Sequence, residues 1–239
     1  VQVVPHITDE IKRNVMLLGK KNNYDFVITE IGGTVGDIEG LPFLESIRQL
    51  KWELGKRALC VHLTYIPYLA AAKELKTKPT QHSVKELQSV GIQPDILVLR
   101  TEHPINDNIR KKVANFCNVD ADAVVQSVDM PTIYEVPVRM QEQKLDETIL
   151  RKMGEPVGET PTLGPWRSFL ERRHKATEIV NIGLVGKYDL QDAYKSILES
   201  LSQAGTYNDY KVKTTFINSE KITEDNVAEK LKDMDLSLI

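Results

Sequence analysis

Glu30-Ile31-Gly32-Gly33-Thr34-Val35-Gly36-Asp37-Ile38-Glu39 joins a short apolar run to three carboxylates across a glycine-rich turn. Residues 25–29, with Phe, Val, Ile and Thr, read as a strand that places Glu30 at its carboxyl end, where open α/β sheets hold their ligands. Gly32, Gly33 and Gly36 allow a sharp turn and a close approach of backbone to ligand. A helix is expected from about Pro42, with its unpaired amides facing the same crevice. A carboxylate at a strand end beside such a loop is placed to hold a hard divalent cation, which needs oxygen donors. The residues alone admit two readings, a metal or nucleotide site, or a turn with a solvated acid.

Outward from this stretch the chain alternates strand and helix. Thr8 reads as the N-cap of a helix to about Leu18, with Ile11, Val15 and Leu18 on one face and Gly19 as its stop. Leu44, Ile47, Leu50 and Leu54 recur at helical spacing before Gly55. Residues 58–64 read as a buried strand, residues 65–79 show no period, and a helix from Pro79 carries Val84 and Leu87 inward. Residues 96–99 are a third strand, of the uninterrupted aliphatic kind that parallel sheets bury on both faces. A helix marked by Ile109, Val113 and Phe116 and a strand at residues 123–128 follow, and the alternation argues for a right-handed, doubly wound α/β layer.

A helix at residues 145–153 closes this part. Residues 154–165, GEPVGETPTLGP, have the composition of an exposed linker. A short helix at 166–174 follows, expected to pack Trp166, Phe169 and Leu170, with Arg172 to Lys175 as a solvated basic face. A second α/β unit then starts, with strands at 179–185 and 210–217 and helices at 193–201 and 223–231. The expected division is 1–153, a linker at 154–177, and the start of a second domain at 178–239.

With 239 residues, 41% hydrophobic and 27% charged, the composition is that of an ordinary globular protein. A net charge of −3 leaves no basic field to recruit nucleic acid or an acidic membrane, so polyanions must be bound by local lysines. Cys60 and Cys117 read as reduced core thiols, and the lack of a leader or apolar run of spanning length points to the cytoplasm. The chain opens on Val1 and stops at Leu236-Ser237-Leu238-Ile239, in what reads as the start of a strand, so it is read as a fragment or the ordered part of a longer chain.

Lys76-Thr77-Lys78-Pro79-Thr80-Gln81 presents two ammonium groups, two hydroxyls and an amide just before a helix start. That is a fair triphosphate site, and equally a lysine-bearing surface loop. Lys112 is by itself one of three interchangeable charges in Arg110-Lys111-Lys112. Together the decamer, the hexamer with its continuation His82-Ser83-Val84-Lys85-Glu86-Leu87, and Gly91-Ile92-Gln93-Pro94-Asp95 closely resemble CTP synthase, a glutamine-dependent ligase that aminates UTP using ATP. The likeness runs from Val1-Gln2-Val3-Val4-Pro5-His6-Ile7-Thr8 to Val185-Gly186-Lys187-Tyr188.

The resemblance implies an α/β fold with a doubly wound, mostly parallel sheet of P-loop, dethiobiotin-synthetase-like type. It also implies the start of a flavodoxin-like class I glutamine amidotransferase domain after the linker. By it, Glu30 is a Mg²⁺ ligand near the phosphates of ATP, and Asp37, Ile38 and Glu39 contact the pyrimidine nucleotide. Lys76, Thr77, Lys78, Pro79, Thr80 and Gln81 bind the triphosphate of UTP or of the feedback inhibitor CTP, and Lys112 contacts the same nucleotide. Val128, Asp129 and Met130 match, with fewer letters kept, the place where the family holds the ATP base; Gln2, with His6, falls near the substrate. The implied reaction phosphorylates uracil O4 with ATP, after which ammonia from glutamine displaces phosphate; a cytoplasmic homotetramer is also implied, with Mg²⁺ as cofactor.

Two features depart from the family pattern. There is no G-x-x-x-x-G-K-[ST] loop, Gly183-Leu184-Val185-Gly186-Lys187 having the wrong spacing, and no cysteine after Cys117 to act as glutaminase nucleophile. No catalytic residue is therefore assigned, and the chain as written is expected to be inactive. Two other readings stand beside the synthase: a nucleotide-sensing or oligomerisation module without catalysis, and another P-loop ligase or ATPase. The KTKPTQ hexamer argues against the last.

Overall fold

The computed structural model describes residues 1–188 and 191–238. It divides into two compact units, Val1–Thr160 and Pro161–Ile239. Ile239, the end of the expected last strand, lies outside the described residues.

In the first unit, α1 (Thr8–Asn22) packs on α2 (Leu41–Leu54). Strand β1 (Val61–Ile66) leads through an antiparallel ribbon of β2 (Tyr68–Leu69) and β3 (Glu74–Leu75) into α3 (Lys78–Ser89). Then come β4 (Ile96–Thr101), α4 (Asp107–Cys117), β5 (Val124–Val128), α5 (Val136–Glu142) and α6 (Leu145–Met153). The three main strands form a parallel sheet of order β1-β4-β5, with Leu63 opposite Val98 and Val98 opposite Val125.

One face of that sheet is closed by α3 and α4. Ile66, Leu97, Leu99 and Val124 meet Val84 of α3 and Val113, Ala114 and Cys117 of α4. Burying an aliphatic side chain of this size contributes about 1.5–3 kcal/mol, so the cluster fixes how both helices sit. The uninterrupted run of β4 is buried as its composition predicts, whereas β1 alternates: His62, Thr64 and Ile66 are inside, and Val61, Leu63 and Tyr65 are exposed. Among the described residues β1 has a strand neighbour on one side only.

Several expectations need correction. Residues 25–29 form no strand, and Ile28 is 96% exposed; β propensity becomes a strand only when a ladder partner is present, and among the described residues β1 pairs with β4 alone. Gly19 does not stop α1, which runs on to Asn22 and is capped by Asn23 in the left-handed region, its amide donating to Gly19 O. Thr8 is the first helical residue, not the cap, and its hydroxyl donates to Pro5 O. Phe116 does not face inward: it is exposed, while its neighbour Cys117 fills the core. Helix α5 is not among the expected elements, although Thr132 caps the turn before it and Pro137 lies in its first turn.

The second unit contains α7 (Gly164–Lys175), β6 (Ile179–Gly186), α8 (Lys195–Tyr207), β7 (Lys211–Asn218), α9 (Val227–Leu231) and β8 (Leu236–Leu238). Its strands are parallel in the order β7-β6-β8. Leu170 of α7 is buried, and the Trp166 and Phe169 rings meet at a tilt of 45° with centroids 6.3 Å apart. In the basic stretch Arg172 is engaged: its guanidinium donates to Asp209 at 2.9 and 3.0 Å.

Candidate functional site

The decamer folds as a turn closed from both sides. Asp37 N–H donates to Thr34 O at 3.1 Å, and Thr34 N–H donates to the Asp37 carboxylate at 3.3 Å. Gly36 has φ +104°, the third-position conformation of a type II turn, which glycine adopts without strain. Pro42, in the first turn of α2, then starts the helix that the sequence predicts.

This geometry sets three carboxylates on one cavity of about 610 Å³, lined by Glu30, Asp37 and Glu39 from the loop and by Glu10, Ile11, Asn14 and Val15 from α1, with Phe43 of α2. The α1 residues and Phe43 reach the cavity through long-range packing, which no local pattern in the sequence signals. Glu10 is already neutralised: hydrogen bonds from Arg13 at 2.8 and 2.5 Å, and from Asn14, hold its carboxyl down to about 2. Glu30, Asp37 and Glu39 form no ion pair among the described residues.

Within the described residues no group of three or more His, Cys, Asp or Glu is arranged to hold a metal ion. The donor set is instead that of single carboxylates. Such a set fits Mg²⁺, which keeps several waters and is commonly held by one or two carboxylates plus substrate phosphates.

The lysine segment runs from just after β3 into the first turn of α3. Thr80 donates its hydroxyl proton to Tyr65 O at 3.0 Å and therefore accepts from Thr64 at 3.1 Å, which ties the start of α3 to the carboxyl end of β1. Gln81 Nε2 donates to Thr77 Oγ1 at 3.1 Å, and Thr77, Thr80 and Gln81 are all buried. Their side chains build the platform. What remains at its surface is Lys78 and Pro79, with the Lys78 amide of the first helical turn, which has no intrahelical partner. Lys76, half-buried, pairs with Glu74.

Lys78 Nζ stands 5.7 Å from the centroid of the Phe116 ring, and Lys112 is one turn before Phe116 on the same side of α4. The α3–α4 packing thus gathers Lys78, Phe116 and Lys112. Phe116 was legible only as an apolar residue at helical spacing. None of these lysines lines the cavity of the three carboxylates within one chain.

Val128 ends β5, and Asp129 and Met130 follow it. Asp129 N–H donates to Thr101 O at 3.0 Å, and its carboxylate lies 3.5 Å from Arg100 Nε. They share the carboxyl edge of the sheet with the start of α3, where the loops after β1 and β4 meet edge to face at Tyr68 and His103, ring centroids 4.1 Å apart. Gln2, by contrast, sits in the exposed opening segment, its backbone N–H donating to His6 Nδ1 at 3.0 Å.

A sequence profile described as the CTP synthase N-terminus matches residues 1–154. The CTP synthase of Bacteroides thetaiotaomicron is 78% identical over 236 residues, 98% of this chain and 44% of that protein. The CTP synthase of Porphyromonas gingivalis is 71% identical over 98% of the chain and 44% of its own length, and that of Flavobacterium johnsoniae 57% identical over 100% and 45%. The chain therefore spans less than half the length of these relatives. With a profile covering well over half of its residues and identity this high along nearly all of them, the chain belongs to the CTP synthase family.

Proposed function

We propose that this chain is the nucleotide-binding part of a CTP synthase, which aminates UTP to CTP with ATP and with ammonia drawn from glutamine. In this reading residues 1–153 are the amidoligase part, 154–177 a linker, and 178–239 the beginning of the glutamine amidotransferase domain. The observation that carries it is the convergence of Glu30, Asp37 and Glu39, free of ion pairs among the described residues, on one cavity of a family member.

Each residue has a role that its chemistry supports. Lys78 and Lys112, with Lys76 once released from Glu74, hold the triphosphate of UTP as point charges. The Lys78 amide at the start of α3 supplies an oriented donor beside them. Asp37, Ile38 and Glu39 orient the pyrimidine nucleotide, and Val128, Asp129 and Met130 receive the base of ATP. Glu30 would hold Mg²⁺ through its carboxylate, and the cation would offset the charge on the phosphates.

The γ-phosphoryl group of ATP passes to uracil O4 with release of ADP. Ammonia then adds at C4 and phosphate leaves with the O4 oxygen. The protein contributes mainly orientation to both steps. CTP, which shares the triphosphate, competes for the same lysines as a feedback inhibitor, and a homotetramer in the cytoplasm is the expected setting. No helix among the described residues is long and apolar enough to cross a membrane.

Calorimetric titration of the chain with UTP in the presence of Mg²⁺, and its displacement by CTP, tests the reading. Saturable UTP binding that CTP abolishes is expected. Failure of both nucleotides to bind would remove the proposal.

A further inference from the structure

The loop that carries Asp37 and Glu39 is fastened to the helix that carries Lys78. Val35 leaves the turn and packs against a buried cluster of Leu44 from α2, Leu87 from α3 and Ile92. The next residue, Gly36, meets α3 again. A Cβ placed on it would lie 3.3 Å from Glu86 Cγ and 3.5 Å from Glu86 Oε1, so the Glu86 stem lies against the backbone of the turn. Glu86 forms no ion pair among the described residues, and its carboxylate therefore gains no local charge partner from standing there.

Glu86 is two turns beyond Lys78 on one continuous helix, about 12 Å along its axis. A rigid helix gripped at Leu87 and Glu86 by the turn, and tied at Thr80 to β1, gives the turn and the lysine platform a fixed spacing.

We infer that Val35 and Glu86 are positioning residues, seating the turn of residues 34–37 on α3 so that the nucleotide meets Asp37, Ile38 and Glu39 in one prepared orientation. This rests on the reading of the chain as a UTP-binding part of a CTP synthase, and adds two residues that need not touch the nucleotide. Affinity is then set by the seat of the loop as well as by the groups in contact, because a displacement of even 1 Å forfeits much of what orientation supplies.

The test is UTP titration with Mg²⁺ on the whole chain, with thermal melting in parallel, for Glu86→Ala, Glu86→Gln, Val35→Ala and Lys78→Ala. Glu86→Ala is expected to weaken UTP about fivefold, equivalent to about 1 kcal/mol, without lowering the melting temperature, since Glu86 is exposed. Glu86→Gln keeps the stem against Gly36 and should restore affinity to near wild type. Val35→Ala should weaken UTP and also lower the melting temperature.

Wild-type affinity in Glu86→Ala and Val35→Ala, with affinity still lost in Lys78→Ala, overturns the clamp and leaves the UTP reading intact. A Glu86→Gln variant as weak as Glu86→Ala assigns the effect to the carboxylate and likewise overturns it. If Lys78→Ala also binds as wild type, the UTP reading itself falls and takes this inference with it.

Discussion

Lys78, at the start of α3, stands over the ring of Phe116 on the outer face of α4, the ammonium lying 5.7 Å from the ring centroid. The pair leaves the ammonium exposed, so it can turn to a phosphate without breaking a buried bond. Lys78→Ala is expected to weaken UTP by roughly 1.5–3 kcal/mol, as for loss of a charge-assisted contact. Phe116→Leu should cost less, about 0.5–1 kcal/mol, the scale of an exposed cation–π contact. Isothermal titration of both variants checks the order.

His62 predicts a pH dependence of stability. Its ring is buried on β1, with Nε2 2.9 Å from Ser83 Oγ of α3, and burial holds its pKa below the ordinary value. A group whose folded pKa is depressed contributes stability that is present above the unfolded pKa and lost as pH falls through the folded one. The melting temperature should therefore decline as pH is lowered from 7 to 5, and His62→Gln should flatten that decline. The Glu10 and Glu45 carboxyls, held at about 2, act only at lower pH and do not obscure the window.

Gly205 offers a control confined to the second unit. A Cβ there would stand 2.5 Å from Val212 Cγ2 and 3.0 Å from the Tyr210 carbonyl oxygen, a backbone atom that cannot rotate away. Gly205→Ala should destabilise this unit by about 1–3 kcal/mol, as overpacking does. It should leave UTP affinity unchanged, since every proposed nucleotide contact is in the first unit. Limited proteolysis followed by mass analysis of the surviving piece reads the first effect, and titration reads the second.

Both cysteines should be slow to react in the native state. Burial pushes the Cys60 thiol up to about 11, the nearby Lys51 offsetting only part of it, and burial alone does the same for Cys117. Thiolate is scarce at pH 8, so a disulfide-exchange reagent should label neither thiol quickly until denaturant is added. These raised values favour the neutral form in the fold, so stability should fall as pH rises from about 9 towards 11.

The sequence made the strands of the first sheet legible because aliphatic runs such as residues 96–99 have few other uses. It misled at residues 25–29, which carry the same letters. Whether such a run becomes a strand depends on a ladder partner, and a partner is not a property of the run itself. The three carboxylates were legible through their spacing around glycines. Glu10, Asn14 and Phe43 were not, because they reach the cavity through the packing of α1 and α2. Phe116 illustrates a further limit: on an amphipathic helix one step of register decides between core and surface, and Cys117 took the core position.

Strand β1 has consequences for handling the protein. Its outer edge carries no ladder partner among the described residues, and Val61, Leu63 and Tyr65 leave one of its faces apolar and wet. Six residues of open edge are a template onto which another copy can add in register, so self-association is expected to grow with concentration, which light scattering over a dilution series checks. Titrations are best run dilute, and a lysine at Leu63 is the substitution that should keep concentrated samples clear.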